Sequence, residues 1–193
     1  MKIIWQEFKY LDKSTNHSSR TEIVKQLKDK GVDIKYYCTY KREKKYFGLS
    51  KNEINYVDIP NLPKIRAIVF FIKMYLLNIY WIVKIKPDII MSDTYLVQST
   101  IIPVFIKRLL RRNTKYILDV RTLPVVLERF EQDMKTFNRL LQISLRYYNG
   151  FSFITPFMRD FLLKNNKTEA PTVVWSSGFN EKLFDSTKYE SSD

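Results

Sequence analysis

DIIMSDTYLVQSTIIPVFIKRLLRRNTKYILDV, residues 88–120, contains two apolar runs of strand length separated by a segment long enough for a helix. The first run, DIIM, follows Pro87, and the second run covers residues 116–120. Residues 94–112 between them can form about five helical turns. Parallel strands need a crossover of this kind, so the stretch predicts a β-α-β unit with a parallel strand pair.

The same alternation extends over the rest of the chain. Apolar strands are predicted at residues 2–5, 32–37, 54–59, 88–91, 116–120, 151–154 and 172–175, and helices at 18–30, 64–86, 94–112, 127–148 and 156–164. Strands that are apolar at nearly every position are typical of a parallel sheet covered on both faces. We therefore predict an α/β fold: one Rossmann-like, doubly wound parallel sheet of about seven strands in a single domain. Ligands are expected at the carboxyl ends of the strands.

Composition narrows the class of partner. The chain has 193 residues, 45% of them hydrophobic, which suits one globular domain. Its net charge of +13 favours an anionic partner such as a phospholipid surface, a phosphorylated substrate or nucleic acid. Cys38 is the single cysteine, so a disulfide framework is excluded and a reducing compartment fits. We expect Cys38 to be a small buried strand residue.

The loop after the first strand is the first candidate site. It carries Asn16, His17, Ser18 and Ser19 just before a predicted helix N-terminus, where backbone amides and hydroxyls suit an anion or a sugar. His17 is the one histidine, and it could be a general base, a sugar contact or an exposed residue with no role. Alternatively, Ser18 or Ser19 caps the helix together with Glu22. The glycine patterns of dinucleotide and P-loop sites are absent from the sequence.

Two further candidates follow strands of the predicted sheet. Asp119, Arg121 and Thr122 come at the end of the fifth strand, where Arg121 could clamp an anion and Asp119 could act as an acceptor or base. The alternative is a structural Asp119–Arg121 pair that braces the loop. Asp93 follows the fourth strand and could reach the same crevice, although capping of the next helix explains it better.

The apolar segment at residues 67–83 resembles a membrane span in composition. It is shorter than the roughly 20 residues that a span needs, and Lys73 and Asn78 interrupt it. We therefore expect a largely buried crossover helix. Basic residues in and around this helix and the next one could hold the chain on an acidic membrane, with a solvated basic face as the alternative. The residues expected to contact a membrane or another anion are Lys64, Arg66, Lys73, Lys107, Arg108, Arg111 and Arg112.

Five segments, in order along the chain, resemble the N-terminal, acceptor-side domain of GT-B glycosyltransferases of the retaining family 4 type. They are MKIIWQ, KPDIIMSD, YILDVRTLP, YNGFSFITPFMRDFL and VVWSSGFNEKLF. The chain departs from the family where His17, Ser18 or Ser19 replaces a glycine pair. It also departs where Thr122 replaces an acidic residue, so no carboxylate is available there.

The resemblance implies a domain at residues 1–184 that binds a sugar or lipid-linked acceptor, with residues 185–193 a tail or the start of a linker. The family transfers a sugar from a nucleotide-sugar with retention and without a required metal. The nucleotide-sugar is expected to bind in a C-terminal donor domain or subunit outside this chain, and the chain alone is expected to be inactive. No cofactor is expected within this domain.

The function that the resemblance implies is acceptor binding in surface polysaccharide or glycolipid synthesis. From their positions at the carboxyl ends of the strands, we expect His17 or Asp119 to be the catalytic group nearest the acceptor hydroxyl. The expected acceptor contacts are Asn16, Ser18, Ser19, Asp93, Arg121 and Thr122. The expected location is cytoplasmic, on the inner face of the membrane.

Two other functions remain as alternatives. A non-catalytic basic module could bind nucleic acid or anionic lipid, with Trp5, Trp81 and Trp175 stacking on bases. Nucleic acid is disfavoured because core packing explains these tryptophans and no RNA-binding or zinc-finger spacing is present. A receiver-like or flavodoxin-like domain ranks last, because paired acidic residues and a phosphate-binding loop are missing after the first strand.

Overall fold

A computed structural model of the chain describes residues 1–13, 17–62, 65–164 and 166–175, and of His17 the backbone alone. The strands of the described part are β1 (Lys2–Tyr10), β2 (Asp33–Thr39), β3 (Ile54–Tyr56), β4 (Ile89–Ser92), β5 (Lys115–Val120), β6 (Gly150–Phe153) and β7 (Thr172–Val174). The helices are α1 (His17–Asp29), α2 (Arg66–Tyr80), α3 (Val97–Leu109), α4 (Phe130–Tyr147) and α5 (Pro156–Leu163). A π-helical turn, Trp81–Ile85, extends α2.

The strands form one parallel sheet in the order β3-β2-β1-β4-β5-β6-β7. β1 lies at the centre of the doubly wound part, where Trp5 pairs with Tyr36 of β2 on one side and with Met91 of β4 on the other. The chain leaves β1 towards β2 and leaves β4 in the opposite direction. A crevice therefore opens between the carboxyl ends of β1 and β4, where ligands bind in folds of this kind.

Two apolar layers cover the sheet. On one face, Val24 of α1 packs with Trp5, Tyr36 and Cys38 of the strands. On the other face, α2, α3 and α4 pack side by side over a larger core that includes Phe70, Met74, Leu118, Phe137 and Phe151. Neighbouring residues of β1 alternate between the layers, since Ile4 belongs to the larger core and Trp5 to the smaller one. The prediction that Cys38 is a buried strand residue is confirmed.

All seven predicted strands and all five predicted helices are present, with shifted ends. The largest shift is in β1, which continues past Trp5 to Tyr10. In contrast, β3 ends at Tyr56, three positions before the predicted end at Ile59. The helical segment that contains α2 ends at Lys86, whose φ of 53° is left-handed and which precedes Pro87. A left-handed residue followed by proline is a strong helix stop.

The prediction of a largely buried helix at residues 67–83 is wrong. Its inner face is buried, but only 28% of the most apolar 18-residue stretch of Arg66–Ile85 lies inside the protein. Ile68, Ile72, Leu76 and Tyr80 are each more than half exposed. The hydropathy of the segment could not distinguish a helix packed on both sides from one packed on a single side, because apolar residues occupy both of its faces.

Candidate functional site

A pocket of about 170 Å³ lies at the carboxyl ends of β1, β4 and β5, at the crevice between β1 and β4. Its charged lining comes from the end of β1, from α1, from the end of β5 and from the segments that follow β4 and β5. The lining residues are Glu7, Phe8, Lys9, Arg20, Asp93, Thr94, Tyr95, Asp119, Arg121, Thr122 and Phe137. Ligand pockets usually exceed about 300 Å³, so this pocket encloses only part of a ligand.

A buried ion pair forms one wall of the pocket. Arg20 of α1 donates through Nη2 to Glu7 Oε1 at 3.1 Å and through Nε to both carboxylate oxygens at 3.2 Å. The Tyr36 hydroxyl donates to Glu7 Oε2 at 2.5 Å. Burial alone would raise the pKa of Glu7, but the Arg20 charge and these hydrogen bonds outweigh it and lower the pKa. Glu7 is thus held ionised, with its oxygens engaged by Arg20 and Tyr36.

Asp93 has a different environment. Its Oδ1 accepts the Leu96 amide at 2.9 Å, and its Oδ2 accepts the Phe8 amide at 3.0 Å. It therefore ties β1 to the turn that precedes α3. The prediction that Asp93 caps this helix is wrong, because the N-cap of α3 is Leu96, which has no side-chain cap hydrogen bond. Burial, with the charge of nearby Glu7, raises the pKa of Asp93 to about 7. A pocket carboxyl with this pKa can exchange a proton with a ligand hydroxyl near neutral pH.

Asp119 and Arg121 form a second buried pair. Arg121 Nε lies 3.0 Å and 3.2 Å from the two oxygens of Asp119, and Ser152 Oγ donates to Asp119 Oδ1 at 2.7 Å. The Arg121 guanidinium also lies 4.1 Å from the centroid of the Trp175 ring. Burial raises the pKa of Asp119, and the charge of Arg121 offsets part of the rise. The Asp119–Arg121 pair therefore braces the loop, as one of the two predictions had it, and also lines the pocket.

Lys9 completes the charged lining. Burial lowers the pKa of its ammonium group, and Glu7 offsets that effect only in part. Lys9, Arg20 and Arg121 thus bring three positive charges to a pocket that also holds three carboxyl groups. Such a lining can bind a phosphate through its cations and a polyhydroxyl group through its carboxylates.

The structure brings together four of the residues predicted as site residues: Asp93, Asp119, Arg121 and Thr122. Ser18 and Ser19 are not among the lining residues, and Ser19 Oγ instead accepts a hydrogen bond from Arg20. The alternative in which Ser18 or Ser19 caps α1 is wrong, because α1 begins at His17 and both serines lie inside its first turn. Asn16 and the His17 side chain lie outside the described residues, as do Lys64 and positions 176–193.

Glu7, Lys9 and Arg20 were not predicted as site residues. Gln6 and Glu7 interrupt the apolar run of β1, so the predicted strand stopped at Trp5. The alternation of Phe8 and Tyr10 with polar residues was the available signal for a longer strand. Nothing in the sequence pairs Glu7 with Arg20, because that contact depends on how α1 packs beside β2.

The described basic residues that were predicted to contact a membrane lie on or next to α2 and α3, and several have protein partners. Lys73 Nζ donates to the Asp58 carbonyl at 2.6 Å, and Lys107 Nζ donates to Asn149 Oδ1 at 3.2 Å. Arg66 stacks on Tyr10, and Arg108 stacks on Phe105 and Tyr147. Arg111 is exposed and Arg112 is half-buried just after α3.

Other candidate sites are weaker. A wider groove of about 630 Å³ lies beside β3, away from the crevice, and is lined mainly by tyrosines and aliphatic side chains. Within the described ranges, no group of three or more histidine, cysteine or acidic side chains could hold a metal ion. Trp5 and Trp81 are buried, which leaves neither available to stack on a nucleic-acid base.

Comparison with known proteins supports the fold. No protein-family model matches the chain. No curated protein matches it either. Among solved structures, the lipopolysaccharide outer core galactosyltransferase WaaB in its apo form matches with a TM-score of 0.61 and 11% identity, over 91% of this chain and 45% of that one. Sucrose-phosphate synthase from Thermosynechococcus elongatus matches with a TM-score of 0.61 and 14% identity, over 95% of this chain and 50% of that one.

A shorter chain of the same synthase matches with a TM-score of 0.59 and 11% identity, over 97% of this chain and 95% of that one. The chain thus spans about half the length of the complete glycosyltransferases that it matches. The predicted resemblance is confirmed at the level of the fold: the chain has the Rossmann-like fold of one domain of a GT-B glycosyltransferase.

Proposed function

We propose that the chain is the acceptor-binding domain of a retaining, family 4-like glycosyltransferase that acts on a lipid-linked or polysaccharide acceptor in surface polysaccharide or glycolipid synthesis. The observation that supports this function is the meeting of Asp93, Arg121 and Lys9 in one pocket at the carboxyl ends of β1, β4 and β5. In this role the acceptor hydroxyl lies near Asp93, and the cations hold a phosphate of the acceptor. The nucleotide-sugar binds in a donor domain or subunit outside these 193 residues.

Each residue has a defined part in this proposal. Asp93 takes the proton of the acceptor hydroxyl, because its pKa of about 7 matches proton transfer at neutral pH. Arg121 binds the acceptor phosphate, and Asp119 holds the guanidinium in position through Nε. Thr122 is exposed at the rim and contacts a sugar hydroxyl. His17 and Asp119, predicted as the groups nearest the acceptor hydroxyl, stay candidates beside Asp93.

The loop that carries Arg121 and Thr122 favours a lipid-linked acceptor. Val125 and Val126 follow in the same loop, and Leu127 begins the 3-10 turn after it. The three are 79%, 50% and 86% exposed. Three consecutive exposed apolar residues are costly on a soluble surface unless they bind something. An acyl or isoprenoid chain that leaves the pocket would cover them. We place this acceptor at the cytoplasmic face of a membrane, where nucleotide-sugars are available.

The test measures binding, since transfer needs the donor half. Amide chemical shifts of the ¹⁵N-labelled chain are followed during titration with farnesyl pyrophosphate, as a lipid pyrophosphate probe, and separately with UDP-glucose. We expect the lipid probe to shift the amides of Phe8, Asp93 and Thr122, and UDP-glucose to leave them unchanged. Lys9→Gln should lower the affinity for the lipid probe about fivefold. Lys135→Gln, on the outer surface of α4, should leave the affinity unchanged.

Binding of UDP-glucose in this pocket would instead make the domain a donor half. Absence of shifts with the lipid probe would remove the phosphate-binding role of the pocket. In a longer protein that includes a donor domain, the anomeric configuration of the product, read by NMR, tests the retaining mechanism.

A further inference from the structure

The outward side of α2 and the neighbouring α3 carries exposed apolar side chains on both helices. On α2 and the residue before it, Ile65, Ile68, Ile72, Leu76 and Tyr80 recur every three or four positions and are 46% to 58% exposed. On α3, which packs beside α2, Ile102, Phe105 and Leu109 follow the same spacing and are 51%, 46% and 83% exposed. These eight residues are called the α2–α3 apolar face. A cluster of this many exposed apolar side chains marks an interaction surface.

The inner side of α2 excludes a transmembrane role for that helix. Phe70, Met74 and Trp81 are at most 1% exposed in the larger core. Asn78 is fully buried and exchanges hydrogen bonds with Gln6 of β1 at 2.9 Å and 3.2 Å. Insertion of α2 across a bilayer would expose the face of the sheet that α2 covers and would leave the Gln6 amide without its hydrogen-bond partner. The helix is thus fixed with its apolar inner side on the sheet and its apolar outer side outward.

Charge around the face decides which partner fits it. From Arg66 to Ile85 and from Val97 to Lys115 the sequence contains no acidic residue. Arg66, Lys73 and Lys84 follow one flank of α2, and Lys107, Arg108, Arg111 and Arg112 lie at the end of α3. A second copy of the chain docked on this face would bring like charges together at its rim, whereas an anionic surface would be complementary.

We propose that the α2–α3 apolar face lies in the interfacial layer of an anionic lipid bilayer, with both helices in the plane of the membrane. The apolar side chains enter the boundary between headgroups and acyl chains to about 5–10 Å, and the basic rim contacts anionic headgroups. Tyr80 suits the interface because its ring is apolar and its hydroxyl is polar. This role concerns attachment and does not depend on sugar transfer.

Vesicle flotation with the whole chain tests the proposal. The vesicles contain phosphatidylcholine alone or phosphatidylcholine with phosphatidylglycerol at four to one. We expect binding to the anionic vesicles and at least about tenfold weaker binding to the neutral ones. Ile72→Glu/Leu76→Glu should lower the partition coefficient at least about thirtyfold, because two inserted side chains become charged.

Phe157→Glu/Phe161→Glu is the matched control. It makes the same change of charge at two exposed apolar residues of α5, which are 78% and 53% exposed and lie outside the face. It should retain most of the binding. Circular dichroism and the melting temperature check that both variants fold.

Equal losses in the two double variants would overturn the proposal, as would absence of binding to anionic vesicles. Sedimentation equilibrium tests the competing possibility that a second copy of the chain covers the face. If the wild-type chain forms dimers that Ile72→Glu/Leu76→Glu dissociates, and does not bind vesicles, the face is an interface between copies and the proposal fails. In the Ile72→Trp variant, quenching of the added fluorescence by bromine-labelled lipid only with anionic vesicles would support insertion directly.

Discussion

Glu7 and Arg20 form a buried ion pair between β1 and α1, with Arg20 Nη2 3.1 Å from Glu7 Oε1 and both side chains at most 5% exposed. Both residues line the pocket, so the electrostatics of the site depend on this contact. The Glu7 carboxylate is buried away from water, where an uncompensated charge is costly. Arg20 and the Tyr36 hydroxyl compensate its charge.

Arg20→Met tests this pair. It keeps much of the side-chain volume but leaves Glu7 ionised and uncompensated, so we expect a loss of about 3–5 kcal/mol in the free energy of unfolding. Urea denaturation measures it. Arg129→Met is the control, because Arg129 pairs with Asp133 at the surface and should contribute less than about 1 kcal/mol. Equal effects of the two substitutions would contradict the burial argument.

Asp93 should make stability depend on pH. Its pKa of about 7 in the folded chain lies above the ordinary value of about 3.9, so the folded state favours the protonated form. The contribution of protonated Asp93 to the free energy of unfolding is fully present below about pH 4 and is lost as the pH rises through 7. From pH 5 to pH 8 we expect a loss of about 2–3 kcal/mol.

Asp93→Asn cannot ionise, so this part of the pH dependence should disappear. Urea denaturation of both proteins at several pH values gives the difference in their free energies of unfolding as a function of pH. The titrations of Glu7 and Asp119 occur in both proteins and largely cancel in this difference. A flat difference between pH 5 and pH 8 would show that Asp93 has an ordinary pKa.

Gln6 and Asn78 provide a double-mutant test of the contact between β1 and α2. Asn78→Leu should cost about 1–3 kcal/mol, because the buried Gln6 amide loses its partner. Gln6→Met combined with Asn78→Leu should cost less than the sum of the two single substitutions. Thermal or urea unfolding of the four proteins gives the coupling energy. Strict additivity would mean that the two amides do not interact.

Cys38 should be unreactive in the folded chain. Its side chain is fully buried in β2, and burial raises the pKa of the thiol well above the ordinary range. We expect a thiol reagent such as dithionitrobenzoate to modify it at a rate limited by unfolding. In 8 M urea the reaction should be fast and reach one thiol per chain. Rapid modification without denaturant would contradict the burial of β2.

The sequence predicted the fold more completely than the site. The βαβ alternation identified each strand of the sheet, because buried parallel strands such as Ile89–Ser92 are apolar at nearly every position. Asp119, Arg121 and Asp93 were predicted because they lie at or just after the ends of strands, and parallel strands bring their carboxyl ends to one edge. Their presence together in the pocket therefore followed from topology.

The rest depended on packing that no local pattern encodes. Glu7 and Arg20 meet only after α1 docks beside β2, and a charged residue inside a strand is a weak signal without its partner. The exposure of Ile72 and Leu76 depends on what lies outside α2. Their hydropathy is the same whether a second protein layer, a bilayer or water covers them.

The central position of β1 has a consequence for how the chain folds. The first strand in sequence pairs with β4, so Ile3 must find Ile89, and the larger core also needs α3 and α4. During synthesis β1 and β2 can pair early, but one edge of β1 stays open until β4 has left the ribosome. Contacts this distant in sequence slow folding and lengthen the lifetime of an open strand edge. Until β4 emerges, the open edge of β1 can pair with a strand of another chain, so this period exposes the chain to aggregation.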